Sequence, residues 1–131
     1  MDKETLTQLK ATQSYNKARE ALTHDEPDLV SALDYALESV ALAQIAEMGI
    51  LERKARYLSD YILKAIVHYE ADNVPYLLTI EKKPSTEDLD QLLRENCEMC
   101  SEVLAKPDIV PANYEAKKLL RETIMGYYHL E

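Results

Sequence analysis

The chain has 131 residues, of which 47% are hydrophobic and 30% charged, and its formal net charge is −9 at pH 7. This length and composition predict one folded domain, residues 1–131, and exclude an intrinsically disordered chain. The negative charge argues against nucleic acid as a partner, because phosphate binding needs a basic patch.

Membrane and secretory signals are missing from the pattern. No apolar run approaches the roughly 18 residues that identify a membrane-spanning helix. The first residues, Met1 to Thr5, are not a basic segment followed by an apolar one. Together with the presence of only two cysteines, this predicts a cytoplasmic protein without a membrane partner.

The first helix is predicted at residues 3–22. Its apolar stripe includes the small residues Ala11 and Ala18, which would allow a neighbouring helix to approach closely. A loop follows at residues 24–27, and Pro27 suits the first turn of the next helix. The complete predicted stripe is Leu6, Leu9, Ala11, Tyr15, Ala18 and Leu22.

Residues 29–69 form the longest helical pattern, with apolar residues at the three-and-four spacing of a buried face. One helix of that length would run about 60 Å, well beyond the size of a compact domain of this length. The stretch contains one glycine, Gly49, and glycine costs roughly 1 kcal/mol inside a helix. We therefore predict a break there, with one helix ending near Met48 and the next beginning near Ile50 and running to about residue 72.

The second half of the chain predicts three further helices. A short one occupies residues 76–82, after Pro75. A long one begins at Ser85, which forms a variant capping box with Asp88, and runs to about residue 104. Ile109 and Val110 are predicted to pack as an extended plug before the last helix, residues 112–128. The pattern indicates an all-α antiparallel helical bundle of four long helices plus a short connecting helix.

The two cysteines, Cys97 and Cys100, form a Cys-x-x-Cys motif. On one helix they share a face and could ligate one metal, but a tetrahedral site needs two more ligands. Redox pairs normally stand at the start of a helix, whereas this pair lies well after the cap at Ser85. We favour a plain structural role, with Cys100 in the core and Cys97 at its edge, and expect no metal and no cofactor. The other ligands of a metal would be a second subunit's pair or His24, His68 and His129.

No catalytic signature is present. With two glycines in the chain, a phosphate-cradling loop is excluded. No histidine has glutamate three residues before it, as a di-iron bundle would require. The sequence therefore predicts a non-enzymatic protein without catalytic residues.

The third helix carries a polar and aromatic stripe formed by Tyr57, Tyr61, Lys64 and His68. Such a stripe could bind a ligand or transfer a proton, and a seam facing another helix or subunit explains it as well. Because tyrosine is enriched in protein interfaces, we identify these four residues as the candidate interaction surface.

Charge is unevenly distributed along the chain. From Asp25 to Glu52 there are seven carboxylates and no lysine or arginine. Such a segment steers basic surfaces toward itself. It indicates a protein partner that is basic, or an acidic mimic of nucleic acid that blocks one.

Short segments in the second half of the chain resemble part of the N-terminal half of 14-3-3 proteins. They are Ile80-Glu81-Lys82-Lys83, Cys100-Ser101-Glu102-Val103-Leu104, Ile109-Val110-Pro111 and Gly126-Tyr127-Tyr128. That family binds phosphopeptides through two arginines, a lysine and a tyrosine. At the matching places this chain has Ala71 and His129 instead of the arginines, so the resemblance implies no site here.

These observations predict a small acidic protein that acts by binding another protein, as a regulator, adaptor or small subunit, and that forms a homodimer. The alternative is a metal-binding or thiol-active protein that uses Cys97 and Cys100, across a dimer. The third interpretation is the acidic mimic of nucleic acid.

Overall fold

The computed structural model describes residues 2–70, 84–109 and 111–127. Within these ranges the chain forms helices and no strand, so the predicted all-α class is confirmed. None of the helices in the described ranges is both long and apolar enough to cross a bilayer. The helices, which pack against each other, are α1 (Lys3–Ala21), α2 (Leu29–Ile45), α3 (Gly49–Glu70), α4 (Thr86–Asn96), α5 (Glu98–Ala105) and α6 (Pro111–Tyr127).

Aspartate side chains cap the first two helices. Asp2 accepts a hydrogen bond from the amide of Thr5 at 2.7 Å, and Asp28 accepts one from the amide of Ser31 at 3.1 Å. Each carboxylate satisfies an amide that lacks a partner within the helix and complements the helix dipole. Because Asp28 is the cap, Pro27 precedes α2 and does not lie in its first turn, contrary to the prediction.

Helices α1 and α2 form a close antiparallel pair. Ala11 and Ala18 are fully buried, and the Ser39 hydroxyl donates to the carbonyl of Ala11 at 2.8 Å. Lys17 lies over the ring of Tyr35, 5.6 Å from its centroid. Lys17 follows Ala11 in α1, whereas its partner Tyr35 precedes Ser39 in α2. The two helices therefore run in opposite directions. The close approach predicted from the alanines is confirmed.

The break predicted near Gly49 is confirmed, but another residue makes the turn. The amide of Met48 donates to the carbonyl of Ala43 at 2.8 Å, and the amide of Glu47 donates to the carbonyl of Gln44 at 3.2 Å. This pair of bonds is the Schellman motif, which requires a left-handed residue just after the helix. Glu47 is that residue, with φ 56°. Gly49 does not have a positive φ and begins α3.

The prediction of one long helix at residues 85–104 is wrong at Cys97. Ser85 does cap its start, accepting from the amide of Asp88 at 3.1 Å. At Cys97, however, the backbone is extended (φ −131°, ψ 104°) and separates α4 from α5. The chain therefore has two shorter helices, α4 and α5, where one long helix was predicted. The predicted short helix at residues 76–82 lies outside the described residues.

Ion pairs join helix α6 to α3 and α4. Arg121 donates two hydrogen bonds to the carboxylate of Asp90 on α4, both at 2.8 Å. Arg56 on α3 pairs with Glu115. Between these contacts lies a core whose largest fully buried aliphatic side chains come from α2, α3, α4 and α6. They are Leu33, Ile62, Leu63, Ile66, Leu93, Leu120 and Ile124.

Several apolar residues that were predicted to pack inside are exposed instead. Leu6 and Leu9 are 41% and 44% exposed, because α1 buries mainly its small residues against α2. Ile109, predicted to plug the core, is 80% exposed. Val110, its predicted companion, is outside the described residues. The helix predicted at 112–128 begins one residue earlier, at Pro111, which suits a first helical position.

Candidate functional site

The four residues of the predicted interaction surface lie together on the outer face of α3. Tyr57 is 77% exposed and Tyr61 is 64% exposed, and Lys64 and His68 are also exposed. Their alternating spacing of four, three and four residues keeps them on one side of the helix. The opposite side of α3 is buried, as Ala55, Ile62, Leu63 and Ile66 show. Within the described residues the tyrosines therefore face away from the core.

Positive side chains surround the two tyrosines. Lys54 lies between the tyrosines and the start of α3, and its side chain is exposed. It takes part in none of the ion pairs seen in the described part of the chain. The Arg53 side chain donates a hydrogen bond to the carbonyl of Gly49 at 3.3 Å. Arg53, Arg56, Tyr57 and Asp60 line a shallow groove of about 360 Å³.

Carboxylates reduce this positive character. Arg56 pairs with Glu52 at 3.6 Å and with Glu115. Asp60 pairs with Lys64 at 3.0 Å, one helical turn further on. At such an exposed position the pair contributes little to stability, roughly 0.3–0.5 kcal/mol. It holds the Lys64 ammonium close to the helix surface, beside Tyr61. The face thus presents two aromatic rings with cationic groups on both sides along the helix.

The end of this face is formed by His68 and Tyr69. Their rings meet edge to face, with centroids 5.8 Å apart and planes at 71°. Tyr69 is 64% exposed and extends the aromatic surface. Glu70, the next residue, is buried and accepts a hydrogen bond from the amide of Met99 at 3.3 Å.

The acidic segment is less available than its sequence suggests. Asp28 caps α2, Asp34 pairs with Lys106, and Glu52 pairs with Arg56 at 3.6 Å. Three of its seven carboxylates therefore already have partners in the chain. This reduces the field that the segment presents to a partner.

An exposed apolar cluster at the turn between α2 and α3 was not recognised from the sequence. Ile45 and Ile50 are 72% and 69% exposed. A shallow groove of about 320 Å³ beside them is lined by Met48, Gly49, Ile50, Leu51 and Lys54. We name Ile45, Met48, Ile50 and Leu51 the turn cluster. The helical period assigned Ile45, Met48 and Leu51 to a buried face, whereas the structure exposes Ile45 and leaves Met48 and Leu51 half-buried.

The two cysteines lie together in the protein interior. Cys97 is 1% exposed and Cys100 is fully buried, and both are free thiols. Cys97 is the N-cap of α5, so the pair does stand at the start of a helix. The expectation that it lies far from a helix start is wrong, because the break at Cys97 was not foreseen.

The cysteines are connected to the end of α3. The Cys97 thiol donates to the carbonyl of Glu70, with sulfur and oxygen 3.8 Å apart. Hydrogen bonding between the two thiols lowers the pKa of Cys97 and raises the pKa of Cys100, while burial and the Glu70 carboxylate oppose the lowering at Cys97. Within the described ranges no group of three or more histidine, cysteine, aspartate or glutamate residues is arranged to hold a metal ion.

The chain matches no family model, and comparison with curated proteins and with solved structures also finds no match.

Proposed function

We propose that this chain is a non-enzymatic, cytoplasmic protein that acts by binding another protein through the outer face of α3. The observation that carries the proposal is the exposure of Tyr57 and Tyr61 on a helix whose other side is fixed in the core. Rigid aromatic side chains lose little conformational entropy when they bind, and tyrosine is among the residues that dominate interface energetics.

The charge on this face favours an acidic partner segment. Lys54, Lys64 and the groove beside Tyr57 place cationic groups along the aromatic stripe. Carboxylates of a partner would pair with them while its apolar side chains cover the tyrosine rings. The basic partner expected from the sequence depended on the acidic segment, where three carboxylates already have partners.

We propose that the chain forms a single domain, an antiparallel helical bundle. We also propose the turn cluster as the surface through which two copies of the chain associate. Large exposed apolar residues such as Ile45 and Ile50 mark interaction sites when they are contiguous. A two-fold pairing of the α3 face with itself would bring Lys54 and Lys64 of the two copies together, which like charges disfavour. The dimer therefore leaves the α3 face free for its partner.

The interaction proposal is tested by photo-crosslinking followed by binding measurements. A photo-crosslinking amino acid at position 57 captures the partner, and the same amino acid at position 114 is the matched control. Tyr114 on α6 is 57% exposed and lies outside the proposed face. Binding of the purified partner is then measured by calorimetry for Tyr57→Ala, Tyr61→Ala and Tyr114→Ala.

Each of the two α3 variants should weaken binding roughly tenfold or more, about 1.4 kcal/mol or more, as expected for a central tyrosine. The Tyr114→Ala protein should bind as the wild type does. Helicity should stay unchanged in all three, because the replaced rings are mostly exposed. Unchanged affinity in both α3 variants would refute the proposed surface.

Self-association is tested by native mass spectrometry of Ile45→Lys and Ile50→Lys. We expect a dimer for the wild type and a monomer for both variants. Ile109→Lys is the control, because Ile109 is exposed at 80% but lies outside the turn cluster. A wild-type monomer, or a dimer that survives both substitutions, would contradict the assignment.

A further inference from the structure

The Cys97–Cys100 pair has the backbone geometry of a disulfide. Glu98 and Met99 are helical, and the conformation of these two residues sets the distance between the flanking Cα atoms. For helical residues that distance is about 5 Å. Disulfides join Cα atoms roughly 4.4–6.8 Å apart. The backbone therefore needs no large movement to bring the two sulfurs into bonding distance.

The surroundings of the two sulfurs differ. Cys97 is placed to attack an oxidant, and Cys100 is placed to react with the oxidised Cys97 afterwards. Cys97 occupies the N-cap of α5, the helix position at which the dipole lowers the pKa of a thiol. Hydrogen bonding with Cys100 also lowers the pKa of Cys97, against the opposing effects of burial and of the Glu70 carboxylate. Cys100 keeps its proton, because hydrogen bonding with Cys97 and burial raise its pKa.

We propose that Cys97 and Cys100 form a reversible dithiol–disulfide pair that hydrogen peroxide oxidises. The Cys97 thiolate attacks one peroxide oxygen, the O–O bond breaks, and the released hydroxide takes up a proton to leave as water. The product is a sulfenic acid on Cys97. The Cys100 sulfur then attacks the Cys97 sulfur, the S–O bond breaks, and the Cys100 proton leaves with the hydroxide as a second water. Two thiols are oxidised and one peroxide is reduced to two waters.

A small oxidant is the appropriate class because both sulfurs are buried. Hydrogen peroxide needs far less space to reach a buried sulfur than an oxidant that is itself a disulfide of larger thiols. Oxidation also changes a contact between helices, because the disulfide has no S–H group to donate to the carbonyl of Glu70. The redox state of the pair is thus connected to the C-terminal end of α3. The inference is independent of the proposed α3 and turn-cluster interactions.

The test is intact mass spectrometry of the reduced, folded wild-type protein after treatment with hydrogen peroxide. We expect the mass of a single chain that has lost two hydrogens. After unfolding, this chain should no longer react with an alkylating reagent, and a reductant should restore the reaction. Two alkylatable thiols after treatment would overturn the proposal. A disulfide between two chains, or addition of oxygen without a disulfide, would overturn it as well.

Two single variants assign the roles of the sulfurs. Cys100→Ser should stop at the sulfenic acid of Cys97, which dimedone traps. Cys97→Ser should leave Cys100 unmodified under the same treatment. Circular dichroism confirms that each variant is folded. Trapping on Cys100 in the Cys97→Ser protein would refute the assigned order, and the wild-type mass remains decisive where a variant does not fold.

Discussion

Glu47 occupies a backbone conformation that suits glycine, so replacing it should stabilise the protein. Its φ of 56° places it at the left-handed position of the Schellman motif that ends α2. That conformation costs a residue with a side chain roughly 1–2 kcal/mol. Glycine avoids this cost but makes the unfolded chain more flexible, which removes about 0.4–1 kcal/mol of the gain. For Glu47→Gly we expect a net stabilisation of about 1 kcal/mol.

At Gly49, two residues later, removing a glycine should stabilise the protein, whereas at Glu47 introducing one should. Its backbone does not have a positive φ, and a Cβ added there would meet no atom within 4 Å. Gly49→Ala should therefore gain helix propensity at no steric cost, roughly 0.5 kcal/mol. Gly49 therefore lies two residues after Glu47, the position in this turn whose left-handed backbone favours glycine.

The assay is urea unfolding followed by far-ultraviolet circular dichroism, with unchanged slope as the check that the unfolded state is comparable. A stabilisation of about 1 kcal/mol corresponds to a melting temperature higher by roughly 4 °C for a chain of this size. Glu47→Ala is the control, since it removes the charge but keeps the unfavourable backbone. If Glu47→Gly is no more stable than Glu47→Ala, the reasoning from the left-handed conformation is refuted.

Two further predictions concern charged side chains. Hydrogen bonds from Ser31 hold the pKa of Asp28 below its ordinary value of 3.8, so its stabilisation is complete above that value and is lost as the pH falls through the lower folded pKa. Asp28→Ala should cost about 1 kcal/mol at neutral pH and progressively less below about pH 4, which urea midpoints measured across that range would show. Asp90→Asn should cost roughly 1–2 kcal/mol, because it weakens both bonds from the half-buried Arg121. A double-mutant cycle with Arg121→Met should show coupling; additive free energies of unfolding would contradict it.

The residues of the proposed interaction surface on α3 could be predicted from the sequence to lie on one face of a helix. The spacing of Tyr57, Tyr61, Lys64 and His68 decides that they share a side of the helix. It does not decide whether that side faces the core. The structure turns Ala55 and Ile62 inward instead, so the four residues are exposed.

The geometry of the cysteine pair could not be predicted locally. Neither glycine nor proline stands near Cys97, so the helical pattern continues through it. Contacts with Glu70, which is 27 residues away from Cys97 in sequence, accompany the break. A local pattern contains no information about a partner at that separation.

The sequence by itself determined the helices and many of their ends, because these depend on neighbouring residues. The N-cap at Ser85 and the reversal near Gly49 follow from side chains within a few positions. Only the tertiary structure decided which faces are exposed, where α4 and α5 separate, and that Glu47 takes the left-handed conformation. Those features depend on packing between distant segments, whose energy outweighs the preferences of single residues.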